Sequence, residues 1–440
     1  MGIKSKILLL IIVIIILMGL YNRHGKRRLT EPEKGSNDSD VGFRVKKITI
    51  VKDYGKSVDW SHANNLIVTA MLGDDGYYDV VVFDPDGDWE QCLTCGKDEI
   101  PQKHIGNPAW HPSGKYIVFT AEKQDVPDIL DRITRATVPG RGLYHDLYIM
   151  TAEGDKFWKL YSSSSFPSEF NNAIIHPQFS SDGKLLVWVE RLGPDDDPRH
   201  DWGEWALRVA DFEIVDGTPK ISNIRTFQPG DQDQFYESHA FTHNDSRILF
   251  SGNLIVGQLP TGMDIYEYSL VDGTLYRLTY TFDDWDEHAH YSPDGTAIAW
   301  ISSRGFEIEY RDYDRWEQDL IAELWIMKAD GSYKTRLTHF NDPSYPEYTG
   351  GRTIVADSSW SPDGNRLIVC ITYEDKRGNL AYRKLVMVEL EFIDSTLNST
   401  STLQHRFLSH LTGFEFTFPL LHLETLGSQG VLRSGIHVNL

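Results

Sequence analysis

Cysteine is close to absent: Cys92, Cys95 and Cys370 are the whole complement of a 440-residue chain. Three thiols cannot build a disulfide framework, so stability must come from packing. Positive charge is also scarce, with 43 basic residues against 64 acidic ones and a net charge of −21. That deficit excludes a nucleic-acid binder, which needs cations to displace the counterions of a phosphate backbone. It also disfavours a polyanionic ligand unless a bound cation inverts the local field. Apolar material, in contrast, is plentiful. Hydrophobic residues make up 40% and aromatics 12%, enough for a large buried core.

Only one long hydrophobic run occurs, the 15 residues from Ile7 to Tyr21. As a helix it would span roughly 22 Å, short of a hydrocarbon core of about 30 Å, and Lys4, Lys6 and Arg23 would snorkel to cover the difference. A cleaved signal peptide has a core of the same length, but no small-x-small cleavage site follows Gly19. Residues 1–28 are therefore expected to form an uncleaved transmembrane signal anchor, and 29–42 a polar tether rich in Pro, Gly, Ser and acidic groups. The cluster Arg23, Lys26, Arg27 and Arg28 leans toward a cytoplasmic domain by the positive-inside rule. Residues 393–440 carry apolar patches such as "FEFTFPLLHLETL" and no recognisable pattern.

Between these ends lies a repeat. Segments beginning at Val58, Pro108, Pro177, His239, Ala289 and Ser358 each present an aromatic, a four-residue turn and an alternating apolar strand. The aromatics are Trp60, Trp110, Phe179, Phe241, Tyr291 and Trp360. In "HYSPDG", at 290–295, Pro presets φ, Asp bonds nearby backbone, and Gly closes the turn without a Cβ clash. Such a turn joins antiparallel strands, and the aromatic before it can wedge between neighbouring sheets. A second hairpin follows in most units, as in "HDLYIMTAEGDKFWKL" and "ELWIMKADGSYKTRLT". Four strands per unit is the size of a propeller blade, so an all-β, six-bladed propeller is expected over 43–392. The last unit lacks an outer strand after "AYRKLVMVELEF". Residues 43–52, "FRVKKITIVK", would supply it and remove two open sheet edges.

The "W-S-P-D-G" turns followed by "L-W-I-M-K-A-D-G-S" hairpins resemble the TolB-type (PD40, WD40-like) propeller repeat, most clearly in the fifth and sixth units. The first unit departs from it, with "SHANN" in place of the Pro-Asp-Gly turn. The resemblance implies an exported or envelope-associated propeller, placed outside the cytoplasm against the lean of the flanking charges. Propellers of this group commonly make protein–protein contacts. Some precede a serine peptidase domain, and related ones are oligogalacturonate lyases. Fold does not choose among these. The peptidase needs a G-x-S-x-G elbow, which these residues lack, so that branch is not expected.

In a propeller the first strand of each blade starts at one mouth of the central channel. The residues three before each aromatic, Ser57, Asn107, His176, Ser238, His288 and Asp357, should therefore form a ring, with His239 and His290 one step further along. The longest interruptions, 123–145, 191–205 and 303–323, fall between second and third strands and should emerge on that same face. Asp283, Asp284, Asp286 and Glu287 add carboxylates there. His176, His239 and His288 with a carboxylate suit a divalent transition metal such as Mn or Zn. "IHPQFS", "SHAF" and "HAHYSPDG" are also similar to the metal-binding strand starts of oligogalacturonate lyases, where a metal acidifies the proton beside a uronate carboxylate. Two features depart from that family: it has a seventh blade, and this sequence shows no clear basic cluster for uronates. The plainer alternative is a rim of polar residues bonded to neighbouring blades and water. Asn107, Asp286, Glu287, His290 and Asp357 complete the candidate binding face.

Cys92 and Cys95 in "EQCLTCG" read as a local disulfide or two free thiols, and the aspartates 195–197 as a solvated loop. Asn37, Asn244 and Asn398 are glycosylation sequons. The leading expectation is a membrane-anchored, non-enzymatic propeller that binds a protein or glycan partner with this face. The rival is a metal-dependent lyase or hydrolase on the same rim.

Overall fold

The structure, a computed structural model, describes residues 42–130, 135–163, 172–194, 202–230 and 234–392. The anchor 1–28, the tether up to residue 41, the segment 393–440, the sequons at Asn37 and Asn398 and the aspartates 195–197 lie outside the described residues. Among the described residues no helix is long and apolar enough to cross a membrane.

Among the described residues, twenty-four strands form six four-stranded antiparallel sheets. After β1 (Phe43–Lys52), blade one contains β2 (Val58–Trp60), β3 (Ile67–Leu72), β4 (Tyr78–Phe83) and β5 (Glu90–Cys92). Blade two contains β6 (Ile105–Trp110), β7 (Tyr116–Glu122), β8 (His145–Thr151) and β9 (Phe157–Tyr161). Blade three contains β10 (Ala173–Phe179), β11 (Leu185–Gly193), β12 (Glu204–Val215) and β13 (Thr218–Phe227). Blade four contains β14 (Tyr236–Phe241), β15 (Arg247–Gly252), β16 (Asp264–Ser269) and β17 (Leu275–Arg277). Blade five contains β18 (Asp286–Tyr291), β19 (Ala297–Ser302), β20 (Glu323–Lys328) and β21 (Thr335–Arg336). Blade six contains β22 (Thr353–Trp360), β23 (Arg366–Glu374) and β24 (Leu380–Phe392), and its fourth strand is β1. This is the six-bladed architecture that the TolB-type resemblance implies.

Ring closure follows the expected route. β1 pairs antiparallel with β24 from Phe43↔Phe392 to Lys52↔Leu385, so the blade that ends the propeller is completed by the strand that begins it. Both edges are thereby paired rather than left as templates for association.

The turn chemistry is visible atom by atom. In the Ser-Pro-Asp-Gly turn of blade five, the Ser292 hydroxyl accepts from Ala297 N (3.0 Å) and the Asp294 carboxylate accepts from Thr296 N (3.1 Å). Gly295 stands at φ +70°, where a side chain would be strained. The aromatic before each turn wedges between sheets as expected. Trp60 of blade one packs among Ile368, Leu385 and Met387 of blade six, and Trp110 of blade two packs against Val68, Val80 and Val82 of blade one.

Polar bonds tie the first strands to one another around the axis. Asp59 accepts from Trp110 N (2.7 Å), the Ser238 hydroxyl donates to the His176 carbonyl (2.7 Å), and Trp360 Nε1 donates to the His290 carbonyl (3.1 Å). At the seam, Asp357 accepts from Val58 N (2.9 Å) and the Ser359 hydroxyl accepts from Trp60 N (3.0 Å). Each bond satisfies a buried group of one blade with a group of the next, which fixes the radial order of the sheets.

Candidate functional site at the channel mouth

A shared irregularity shapes the start of the first strands. β6, β10, β14, β18 and β22 each shift register by one residue against their partners, between Gly106 and Ala109, Ile175 and Gln178, Ser238 and Ala240, Glu287 and His290, and Val355 and Asp357. In three of these bulges the residue three before the aromatic is left-handed: Asn107 at φ +48°, His176 at +50° and His288 at +50°. None is glycine, and each such residue stores on the order of 1–3 kcal/mol of backbone strain, held by the surrounding sheet.

Side chains from the first strand of each blade, or from the residue just before it, meet at one cavity of about 530 Å³. Ser57, Asn107, His176, Glu237, His288 and Asp357 line it, one from each blade in turn. Loops from blades two, three and five wall it, through Arg141, Trp202 and Trp316 among others. Arg141 and Glu317, from blades that stand opposite each other in the ring, form an ion pair.

The imidazoles gather as the ring predicts. The His176 and His288 rings lie 5.2 Å apart between centroids, His239 and His288 5.6 Å, and His239 and His290 6.3 Å. Their roles diverge, however. His176 and His288 reach the cavity, whereas His239 is buried beneath it with Nε2 2.5 Å from the Ser251 hydroxyl. His290 sits behind the surface with Nε2 3.6 Å from Asp357. Asp286 is turned inward, accepting from Trp300 Nε1 (3.0 Å), and does not line the cavity. Glu287 does, and accepts from Trp285 Nε1 (2.8 Å).

The carboxylate that approaches both cavity histidines is Glu237, which the sequence reading passed over. Its Oε1 is 2.8 Å from His176 Nε2 and 3.6 Å from His288 Nε2. Ligand atoms of His176, Glu237 and His288 all lie within 4.8 Å of one another. Two imidazoles and a carboxylate are a donor set used by catalytic divalent metals. Burial sets their protonation. It pushes His176 down to about 4, with Asp357 and Glu287 pulling the other way, and lowers His288 as well. Both rings are therefore neutral near pH 7, as a metal ligand must be. Burial also raises Glu237 to about 7, against the hydrogen bond from Glu287. Glu287 is raised well above the carboxylate range, first by burial and then by Glu237, so the pair favours keeping a proton between its two carboxyls.

Two walls flank this floor. On one, ring centroids run in a chain: Trp205 to Phe235 at 5.3 Å, Phe235 to Trp202 at 5.1 Å, Trp202 to Trp285 at 6.3 Å and Trp285 to Trp316 at 4.5 Å. On the other stand Lys56, Arg135, Arg141 and Arg383. This corrects the sequence reading, which found no basic cluster. These four cations come from the approach to β2, the long blade-two loop and β24, so no run of basic residues announces them.

Cys92 and Cys95 form a disulfide at the end of β5, and Cys370 is free and buried.

No protein-family model matches the sequence, and no curated protein matches it. Among solved structures, TolB from Acinetobacter baumannii is similar at 16% identity and a TM-score of 0.42, over 78% of this chain and 67% of that one. An oligogalacturonate lyase in complex with manganese is similar at 13% identity and 0.42, over 78% and 91%. A puromycin hydrolase is similar at 13% identity and 0.45, over 80% of this chain but 47% of the enzyme. Likeness at this level carries no argument about ligand or reaction.

Proposed function

We propose that the protein is a binding propeller whose ligand is a carbohydrate-like molecule seated in the channel-mouth cavity, with residues 1–28 anchoring it in a membrane and the propeller outside the cytoplasm. One observation carries the binding reading: a cavity of about 530 Å³ with a continuous wall of indole and phenyl rings on one side and buried polar groups on its floor. Pockets of roughly 300–1,000 Å³ suit small ligands, with apolar rings supplying contact area and a few polar groups fixing orientation. The C–H face of a sugar stacks on such rings while its hydroxyls reach the floor. A protein partner docking on the same rim would place only a few side chains inside. The anchor rests on the apolar run Ile7–Tyr21, and the placement on the TolB-type repeat.

Tryptophan fluorescence tests the reading. A panel of neutral and acidic oligosaccharides titrated into the full chain should include one that changes emission saturably. Trp316→Ala, a half-buried position at the open end of the aromatic wall, should lose that response and keep its melting profile. No saturable response from any member of the panel would end the glycan reading.

A second reading has its own observation, the convergence of His176, Glu237 and His288 within 4.8 Å. These residues fit a divalent transition metal, Mn or Zn, and would hold it through two neutral imidazoles and one carboxylate. Once bound, the metal would supply Lewis acidity at the cavity floor, the chemistry of a metal-dependent lyase or hydrolase. The chain's own contribution is the carboxyl pair Glu237 and Glu287, both raised by burial and both facing the ligand space.

A further inference from the structure

Lys56 is placed at an unusual point for a lysine. It lies four residues before Trp60, the position held by Glu237 in blade four and Glu287 in blade five, and it lines the same cavity. Its ammonium stands 5.4 Å from the centroid of the Tyr78 ring and makes no ion pair or hydrogen bond with any described residue. Arg383 approaches the same ring from β24, with its guanidinium carbon 5.8 Å from the centroid, and donates to the Tyr78 hydroxyl at 2.5 Å. Arg135 and Arg141 complete the wall. Of the four, only Arg141 has a carboxylate partner among the described residues, Glu317.

Cations gathered in a recess cost free energy, because each loses water and repels its neighbours. The cost registers at Lys56, whose amine is pushed well below its ordinary value, first by burial and then by Arg383, Arg141 and Arg135. In a chain of net charge −21 such a cluster is not a by-product of composition. The Asp357 carboxylate, held in its charged form, faces the same space and would repel an anion from the floor, leaving one wall where a negative group is welcome.

We propose that Lys56, Arg383 and Arg135 form an oxyanion-binding subsite, and that the ligand carries a carboxylate or phosphate there while its uncharged ring lies against the tryptophan wall. The proposal rests on the cavity being a ligand site, and it adds the ligand's charge and orientation. Lys56 is the central contact: its flexible ammonium closes on the oxyanion, and the guanidinium of Arg383 flanks it, already oriented by Tyr78.

Calorimetric titration of the full chain with inorganic phosphate, glucose, glucose 6-phosphate and glucuronate tests this, with Lys56→Met and Arg383→Met beside the wild type. Lys56→Met is close in volume and removes a repulsion, so it should fold and melt no lower than the wild type without added anion. The expected result is that an anionic sugar binds at least tenfold more tightly than glucose, and that Lys56→Met brings the ratio of the two affinities toward one. Preference for the phosphate over the carboxylate, or the reverse, names the oxyanion. Equal binding of glucose and its anionic forms would overturn the subsite and leave the glycan reading intact. Binding of inorganic phosphate alone, lost in Lys56→Met, would keep the subsite and overturn the glycan reading. No heat with any probe would overturn both.

Discussion

Asp357 is the residue through which the seam of the ring, the histidine cluster and the cavity are joined, and its replacement has a computable cost. One carboxylate oxygen accepts from Val58 N at 2.9 Å across the seam between blades six and one, and the other accepts from Ser358 N at 2.8 Å. The second oxygen also lies 3.5 Å from His288 Nδ1. Val58, Ser358 and Asp357 are all buried. Asp357→Ala would strand two buried N–H donors, each costing roughly 1–3 kcal/mol, or about 2–6 kcal/mol together. Asp357→Asn retains one acceptor oxygen but turns an amide NH2 toward the other donor, for a loss of roughly 1–3 kcal/mol. Against a typical folding stability of about 5–15 kcal/mol these losses are readily measured. Burial works against the charge on Asp357, yet His288, then His290 and the Val58 N–H, hold its pKa below the ordinary carboxylate value. A group depressed in this way stabilises the fold fully above its unfolded pKa of about 3.9, and the contribution is lost as pH falls through that value toward the folded one. Urea denaturation followed by circular dichroism, at pH 7 and in steps down to pH 3, should therefore show two effects. The Asn variant should have a lower midpoint at pH 7, and its midpoint should fall less steeply than the wild type's below about pH 4. A variant that matches the wild type in both would refute the assignment of Asp357 as the seam's anion.

Two further outcomes follow from the same geometry. Deleting 43–52 removes the strand that pairs with β24 from Phe43↔Phe392 to Lys52↔Leu385, so the whole propeller should melt earlier in one transition, and an unchanged melting curve would contradict closure by β1. For the metal reading, elemental analysis of the purified propeller should find a stoichiometric transition metal that is lost in the His176→Ala, His288→Ala double variant. A folded protein that takes up neither Mn nor Zn on dialysis against them would remove that reading.

The legible part of this protein is the part written in local chemistry. Pro-Asp-Gly turns, the aromatic ahead of them and period-two strands are properties of neighbouring residues, so blade number and closure could be reasoned from the chain alone. The ring of positions three before each aromatic was legible for the same reason, because a propeller maps equal repeat positions to equal heights on the axis. His176, His288 and Asp357 reach the cavity accordingly, as do Asn107 and Ser57. At the adjacent position, four before the aromatic, Glu287 of blade five was named, but Lys56 in blade one and Glu237 in blade four were overlooked. A strict alternation would send that neighbour away from the axis. In blade five the one-residue bulge breaks the alternation, and both Glu287 and His288 line the cavity, whereas in blade four Glu237 lines it and Ser238 does not.

Sequence alone thus determined the repeating unit, its multiplicity and the height at which the imidazoles would meet. Tertiary structure decided which of them share the cavity with a carboxylate, and it decided the character of the walls. Trp202 and Trp316 belong to loops of different blades, and Lys56 and Arg383 are 327 residues apart, the difference of their two positions. Such groups become neighbours only when the sheets pack radially and the last blade closes on the first strand. Spacing along the chain carries no record of that meeting, because the packing of whole blades sets the distance between them.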